Sequence, residues 1–303
     1  MRADAGRRGF LRAAAAAAAG VALPRAIRAE PRLALRLGYH AITWDGRDEQ
    51  AIDEIAALGF HGIQLRANAL QTYGECPAQL QRRLEQAGLA LLCFSSGSVD
   101  AVAERESEYL ETHLVHARFV HAVGGGMMQV TSRRPRDRAP TAAEFERLGR
   151  LLTEIGRRSA DAGVRVVYHN HMGAFGEGPE EVARVLEVSD GRFVGLLLDI
   201  AHYRQGGGDP AAAVLRHRER LAMLHLKDVV SPAPGDRRPQ SYRFVELGRG
   251  RVDVPGVIAS LERIGFRGPA VIELDSVSDP ARTPRECAAI NKRYVVESLG
   301  LSL

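Results

Sequence analysis

Residues 162–171 read Ala162-Gly163-Val164-Arg165-Val166-Val167-Tyr168-His169-Asn170-His171. The glycine closes a preceding helical pattern, because the residue past a helix end favours the left-handed conformation that glycine adopts freely. A short, nearly continuous apolar run follows, as in a strand buried on both faces. The chain then turns polar at once, at His169-Asn170-His171. Helix stop, buried strand, polar strand end: that order marks a parallel strand carrying chemistry at its carboxyl end.

Working outward, the same unit recurs. Strands are predicted at Leu35–Tyr39, Gly62–Leu65, Ala90–Phe94, Met127–Val130, Val164–Tyr168, Phe193–Leu198, Ala222–Leu226 and Ala270–Leu274. Helical patterns fall at Asp48–Leu58, Ala78–Ala87, Ala103–Ala122, Ala142–Ala162, Glu180–Val188, Pro210–Arg218, Pro255–Ile264 and Pro284–Leu299. Eight β-then-α units in about 270 residues predict a single (β/α)8 TIM barrel. The competing doubly wound sheet has little support, since no Gly-x-Gly-x-x-Gly follows the first strand. No linker or composition break divides the chain, so residues 30–303 are read as the barrel.

The chain has 303 residues, with 41 Lys+Arg against 37 Asp+Glu and a formal charge of +4. Its 45% hydrophobic and 26% charged residues exclude a disordered, collagenous or coiled-coil chain. The basic excess sits in residues 1–29, which hold six Arg and one Asp. Without them 35 basic residues face 36 acidic ones, a net of −1, so no nucleic-acid partner is expected. Arg7-Arg8-Gly9-Phe10-Leu11-Arg12 precedes the alanine run Ala13 to Ala19 and Gly20-Val21-Ala22-Leu23. Twin Arg followed by a short apolar run reads as a twin-arginine export signal over residues 1–29. The run is shorter than the roughly 20 residues of a membrane span. The expected location is therefore periplasmic, with membrane contact only through that signal. Cys76, Cys93 and Cys287 are widely spaced and form no disulfide framework. Cys93, in an apolar run, reads as a buried core thiol.

Four neighbouring strand ends carry ligand-type residues: His169-Asn170-His171, then Asp199-Ile200-Ala201-His202, then His225-Leu226-Lys227-Asp228, then Glu273 and Asp275. Imidazoles and carboxylates together suit one divalent metal ion, Mn²⁺, Co²⁺, Zn²⁺ or Fe²⁺ ahead of Mg²⁺. Singly, each has a plainer reading: Asp199 suits a helix N-cap, and Lys227-Asp228 an exposed ion pair. Together they point to a metal or catalytic site. His169 is favoured over His171 as the first ligand by its place at the strand end. Period-two spacing aims both the same way, and the choice stays open. The Pro-, Gly- and Arg-rich segment Ser231–Tyr242 reads as a loop or lid, with Arg237-Arg238 available to an anionic group.

The sequence resembles the xylose-isomerase-like barrel family, which holds sugar-phosphate isomerases/epimerases and inosose dehydratases. The resemblance rests on Gly38-Tyr39-His40-Ala41-Ile42-Thr43-Trp44, Leu58-Gly59-Phe60-His61-Gly62-Ile63-Gln64, Tyr168-His169-Asn170-His171-Met172-Gly173, Leu198-Asp199-Ile200-Ala201-His202, His225-Leu226-Lys227-Asp228, Glu246-Leu247-Gly248-Arg249-Gly250-Arg251-Val252-Asp253 and Val271-Ile272-Glu273-Leu274-Asp275. It spans about residues 33 to 300. It implies one divalent metal near the barrel axis, with Asp199, His225 and Glu273 on ligand positions. The His-Asn-His stretch stands where the epimerase branch often has a ligating Glu. His202 and Lys227 fall where family members contact substrate oxygens. Two residues depart from the family pattern: Gln64 replaces a common Glu, and Ala174-Phe175 replaces a Glu-Phe pair.

The implied chemistry is metal-assisted proton transfer beside a carbonyl of an unphosphorylated sugar, keto-sugar or cyclic polyol. Returning the proton gives isomerisation or epimerisation. Expelling a β-hydroxyl or alkoxyl gives dehydration. Metal ligands are expected at His169, Asp199, His225 and Glu273. Catalytic roles are expected for Glu273, His171, His202 and Lys227. Isomerase/epimerase chemistry is the first expectation and dehydratase/lyase the alternative, with a non-catalytic envelope sugar-binding barrel as a reading of another class. An abasic-site endonuclease would need more ligands and a basic face. The sequence leaves a homo-oligomer open.

Overall fold

The computed structural model describes residues 35–101, 105–238 and 241–303. The expected export signal lies outside them, as does the start of the helix expected from Ala103. The strands are β1 Arg36–His40, β2 Gly62–Arg66, β3 Ala90–Asp100, β4 Met127–Arg133, β5 Arg165–His169, β6 Val194–Asp199, β7 Leu221–Leu226, β8 Asp228–Val230, β9 Arg243–Val245 and β10 Pro269–Ile272. Eight of them close a barrel in the order β1-β10-β7-β6-β5-β4-β3-β2, with every neighbouring pair parallel. The expected eight-unit alternation is therefore the observed fold.

Local chemistry sets the elements. The helices Ala142–Asp161 and Pro284–Arg293 each open on a threonine capping box, Thr141 with Glu144 and Thr283 with Glu286. Helices Pro77–Ala87, Pro179–Val188 and Pro210–Arg216 start on proline, whose missing N–H is no loss in the first turn. Gly88 and Gly163 end their helices at φ 68° and 78°. Between helices and barrel lies the main apolar core, and Cys93 belongs to a second cluster of inward-facing residues.

Three elements differ from the expectation. β3 runs on to Asp100, pairing Ser98–Asp100 with Thr131–Arg133 after a register shift between Ser95 and Ser98. Ser95-Ser96-Gly97-Ser98 reads as loop by composition, and Gly97 at φ 104° supplies the kink that lets pairing resume. The described residues of the Ser231–Tyr242 segment lie between the two strands of an antiparallel hairpin, β8 with β9. Its Arg238 is held by Asp236 of the same turn, at 3.0 Å from Nε to Oδ1. The eighth barrel strand stops at Ile272, although the Glu273 N–H still donates to Leu226 O at 3.0 Å.

Gly149, inside the helix Ala142–Asp161, is buried against the next unit, and a Cβ there would lie 2.2 Å from the Val188 carbonyl oxygen. At an exposed helical site Gly→Ala stabilises by about 1 kcal/mol. Here Gly149→Ala is expected to destabilise by about 1–3 kcal/mol in urea titration; a stabilised variant contradicts the packing. Behind β3, the buried His113 shares Ser96 Oγ with His116, at 2.6 and 2.7 Å. Burial, then the neighbouring His116, pushes His113 down to about 4. The unfolded chain takes up that proton near pH 6.5, the folded chain only near 4, so stability is full above 6.5 and is lost as pH falls between the two. The expected loss is up to about 3 kcal/mol. A His113→Leu chain that keeps the same acid limb contradicts it.

Candidate metal centre

Side chains alternate along a strand, so residues two apart share a face. The lower inward layer is apolar and contains Cys93, Val167, Leu197, Met223 and Val271. Two residues further on stand Ser95, His169, Asp199, His225 and Glu273. The same step takes Gly38 to His40, Gly62 to Gln64 and Met127 to Gln129. Each barrel strand thus delivers one polar residue to the carboxyl rim, and all of these are buried.

Four of them converge. Ligand atoms of His169, Asp199, His225 and Glu273 all lie within 4.8 Å of one another. His169 Nε2 is 3.5 Å and His225 Nδ1 3.6 Å from Asp199 Oδ2, and His225 Nδ1 is 3.2 Å from Glu273 Oε2. His169 Nε2, Asp199 Oδ2 and His225 Nδ1 are buried with no hydrogen-bond partner. One such atom costs on the order of 1–3 kcal/mol, so three around one point need a shared ligand. A divalent cation fits: two imidazoles and two carboxylates are the donors of Zn²⁺ and its first-row neighbours. Among the described residues this is the group of His, Cys, Asp and Glu at ligand spacing, smaller than the set a metal-cluster nuclease requires.

Electrostatics keep the group ready to ligate. Burial pushes His169 down to about 4, outweighing Asp199, so its imidazole is neutral at physiological pH. Burial raises both carboxyls, yet the surrounding groups hold them well below the usual range. The Lys227 ammonium, 3.7 Å from Asp199 and 2.8 Å from Glu273, supplies the charge that does so, and His40 adds a hydrogen bond to Glu273.

Asp199 fills both roles that the sequence offered it. Oδ1 caps the short helix Ile200–Gln205 by accepting from Ala201 N and His202 N at 2.9 and 2.8 Å, and Oδ2 faces the cluster. Asn170 clamps its backbone, accepting from Asp199 N at 2.8 Å and donating to Asp199 O at 3.2 Å. His169, rather than His171, enters the cluster. His171 is half-buried beside it, with its ring 3.8 Å from that of His202.

Lys227 and Asp228 are not an exposed ion pair. Both are fully buried and serve different ends. Lys227 Nζ lies 2.8 Å from Glu273, 2.5 Å from Asp275 and 3.7 Å from Asp199. Burial works against its charge, but Glu273, Asp275 and Asp199 raise its pKa above the ordinary lysine value. Asp228 accepts backbone N–H bonds from Val229, Gly248, Gly250 and Val252, which shape the loop leading out of the hairpin.

Sequence reasoning missed Phe244 and Tyr242. The β8–β9 hairpin sets Phe244 4.0 Å over Lys227 Nζ and 4.8 Å from the His202 ring, with Tyr242 edge-on behind it. No local motif marks them. His40, Ser95 and Gln129 were legible in principle, as the polar residues two positions past the inward apolar layer.

Known proteins share this architecture. The sequence model of the xylose isomerase-like TIM barrel family matches residues 52–293. The chain is 31% identical over 275 residues to the rhizopine catabolism protein MocC of Rhizobium meliloti, covering 80% of this chain and 82% of that one. It is 28% identical to the inosose dehydratase of Geobacillus kaustophilus, covering 86% and 93%. A crystal structure of IolI protein with a bound zinc atom superposes with a TM-score of 0.72 at 17% identity, covering 89% of this chain and all of that one. That likeness speaks for the fold alone. The motifs read from the sequence, the closed barrel and the convergent rim thus have one common explanation: the chain belongs to the xylose isomerase-like TIM barrel family and is an enzyme.

Proposed function

We propose that this enzyme holds a divalent cation with His169, Asp199, His225 and Glu273, and removes a proton beside the carbonyl of a keto-sugar or cyclic polyol ketone, with loss of a β-hydroxyl as water. The observation that carries the reading is the trio of buried, partnerless atoms His169 Nε2, Asp199 Oδ2 and His225 Nδ1. The cation, when bound, supplies Lewis-acid polarisation of the carbonyl.

The chain's own residues divide the remaining work. His171 Nδ1 donates to the Met172 carbonyl at 2.6 Å, so the lone pair of the neutral ring is on Nε2. A half-buried imidazole with a free lone pair is placed to act as a general base. His202 Nδ1 faces the Met172 N–H at 3.2 Å and its Nε2 faces the Lys227 ammonium at 3.4 Å. Burial, reinforced by Lys227 against Asp199, keeps that ring neutral, so it takes no proton in the reaction and serves to line the substrate side of Lys227. Lys227 steadies negative charge developing on oxygen. Glu273 is engaged through Oε2 by His40 and through Oε1 by Lys227, which speaks against its taking a proton, and its place in the four-residue cluster supports a role in holding the cation. In the elimination the C–H pair becomes the new C=C bond and the β C–O bond breaks. The proton collected by His171 leaves with the hydroxide as water.

Elimination comes ahead of isomerisation or epimerisation on two grounds. Epimerisation at one carbon is simplest with a base on each face; here Gln64 is neutral and both oxygens of Glu273 are engaged. The relatives include proteins named inosose dehydratase, which supports the same choice. A panel of inososes, ketoses and keto-glycosides in deuterated water with Zn²⁺ or Mn²⁺ tests the reading. The expected result is loss of water from one panel member and none after chelation. Glu273→Gln is expected to abolish turnover. His171→Asn is expected to lower kcat by about 10²–10⁴-fold with zinc affinity kept. Full turnover in Glu273→Gln, or in chelated enzyme, overturns the assignment.

A further inference from the structure

The buried rim residues also form a chain of hydrogen bonds with a fixed sense. It starts at Glu273, whose carboxylate only accepts. Glu273 Oε2 is in short contact with His40 Nδ1, so that nitrogen carries the hydrogen. His40 Nε2 then holds a lone pair, and the Ser95 hydroxyl donates to it from 3.3 Å. With its hydrogen given, Ser95 Oγ accepts from the Gln64 amide nitrogen at 2.9 Å. The same nitrogen donates to Gln129 Oε1 at 3.0 Å. The Gln64 carbonyl therefore faces His225. A carbonyl only accepts, so His225 Nε2, 3.0 Å away, carries the hydrogen.

The sense is not arbitrary. Turning the Gln64 amide over would set its carbonyl against the Ser95 oxygen, whose hydrogen is already given, and against the Gln129 carbonyl. It would also aim an N–H₂ group at His225. In the observed sense the polarity runs unbroken from Glu273 through His40, Ser95 and Gln64 to His225. One prospective metal ligand thus dictates the hydrogen position of another across four barrel strands, β1, β3, β2 and β7. A neutral imidazole has a single N–H, so His225 Nδ1 keeps its lone pair, and that is the atom that lies partnerless 3.2 Å from Glu273 Oε2.

We propose that Gln64, supported by Ser95 and His40, is a positioning residue that locks His225 in the Nε2–H tautomer and so presents Nδ1 to the cation. The part concerning affinity rests on the metal reading above, while the tautomer stands without it. A neutral acceptor orients the imidazole without adding a third negative charge to the two carboxylates that face a divalent ion. Partners of this kind typically change metal affinity 10–100-fold.

The test uses the whole protein labelled with ¹⁵N-histidine and freed of metal. Long-range ¹H–¹⁵N correlations read each tautomer, and His225 is assigned by comparison with His225→Gln. The wild type is expected to show His225 as the Nε2–H form. Gln64→Leu and Ser95→Ala are expected to give mixed tautomers, with zinc affinity falling by about 10–100-fold in Gln64→Leu. Gln64→Glu keeps the acceptor and is expected to keep the Nε2–H form. An Nδ1–H form in the wild type overturns the proposal. So does an unchanged tautomer in whichever of Gln64→Leu and Ser95→Ala folds. If zinc fails to bind the wild type, the metal reading falls, and the tautomer measurement on metal-free protein still decides this one.

Discussion

Two ionised carboxylates, Asp199 and Glu273, are buried at the mouth of a closed barrel, and everything else in the site answers to that. Burial alone would drive both to the neutral acid. Lys227 counters the charge, but it is shared with Asp275, so one ammonium cannot balance the set. The remaining lone pairs of Asp199, His169 and His225 converge without a protein partner. A buried charge with no partner is strongly unfavourable, whereas a cation among four donors turns the same cluster into a stable site. The chain therefore carries an arrangement that makes energetic sense as a ligand set.

The barrel makes this possible because its strands are short and in register. An apolar plug around Val167, Leu197, Met223 and Val271 fills the interior, and one step of two residues puts a polar side chain above it on each strand. Rigid strand ends hold the donors, Asn170 and the Asp199 N-cap fix the β5–β6 corner, and the Asp228 carboxylate shapes the loop leading out of the hairpin. Mobile parts are not needed to assemble the centre. The hairpin adds an aromatic wall at the rim, with Phe244 over Lys227.

Much of this was legible in the sequence because buried parallel strands are short apolar runs, and a polar residue at their end stands out against them. His169, Asp199, His225 and Glu273 were found in that way. The choice of His169 over His171 was not settled by periodicity, since both share a face; it took the tertiary structure to show that the chain leaves the strand after His169. The sequence ends the third strand at Phe94 because Ser-Ser-Gly-Ser follows, a loop-like composition, although Ser95 and Ser98 still pair with β4. Lys227-Asp228 suggests a surface pair because adjacent opposite charges usually are one, yet Lys227 sits at the junction of β7 and β8 and bonds the rim carboxylates, while Asp228 bonds the backbone of the loop after β9. Phe244 was invisible for a different reason: its role depends on a three-residue strand folding back over the rim.

The central claim is that these four side chains share one ion. Zinc-loaded crystals measured at the zinc absorption edge test it directly. The expected result is a single anomalous peak at the barrel mouth, bonded to His169 Nε2, Asp199 Oδ2, His225 Nδ1 and the Glu273 carboxylate. Zinc bound elsewhere, with those four atoms left facing water, would contradict it.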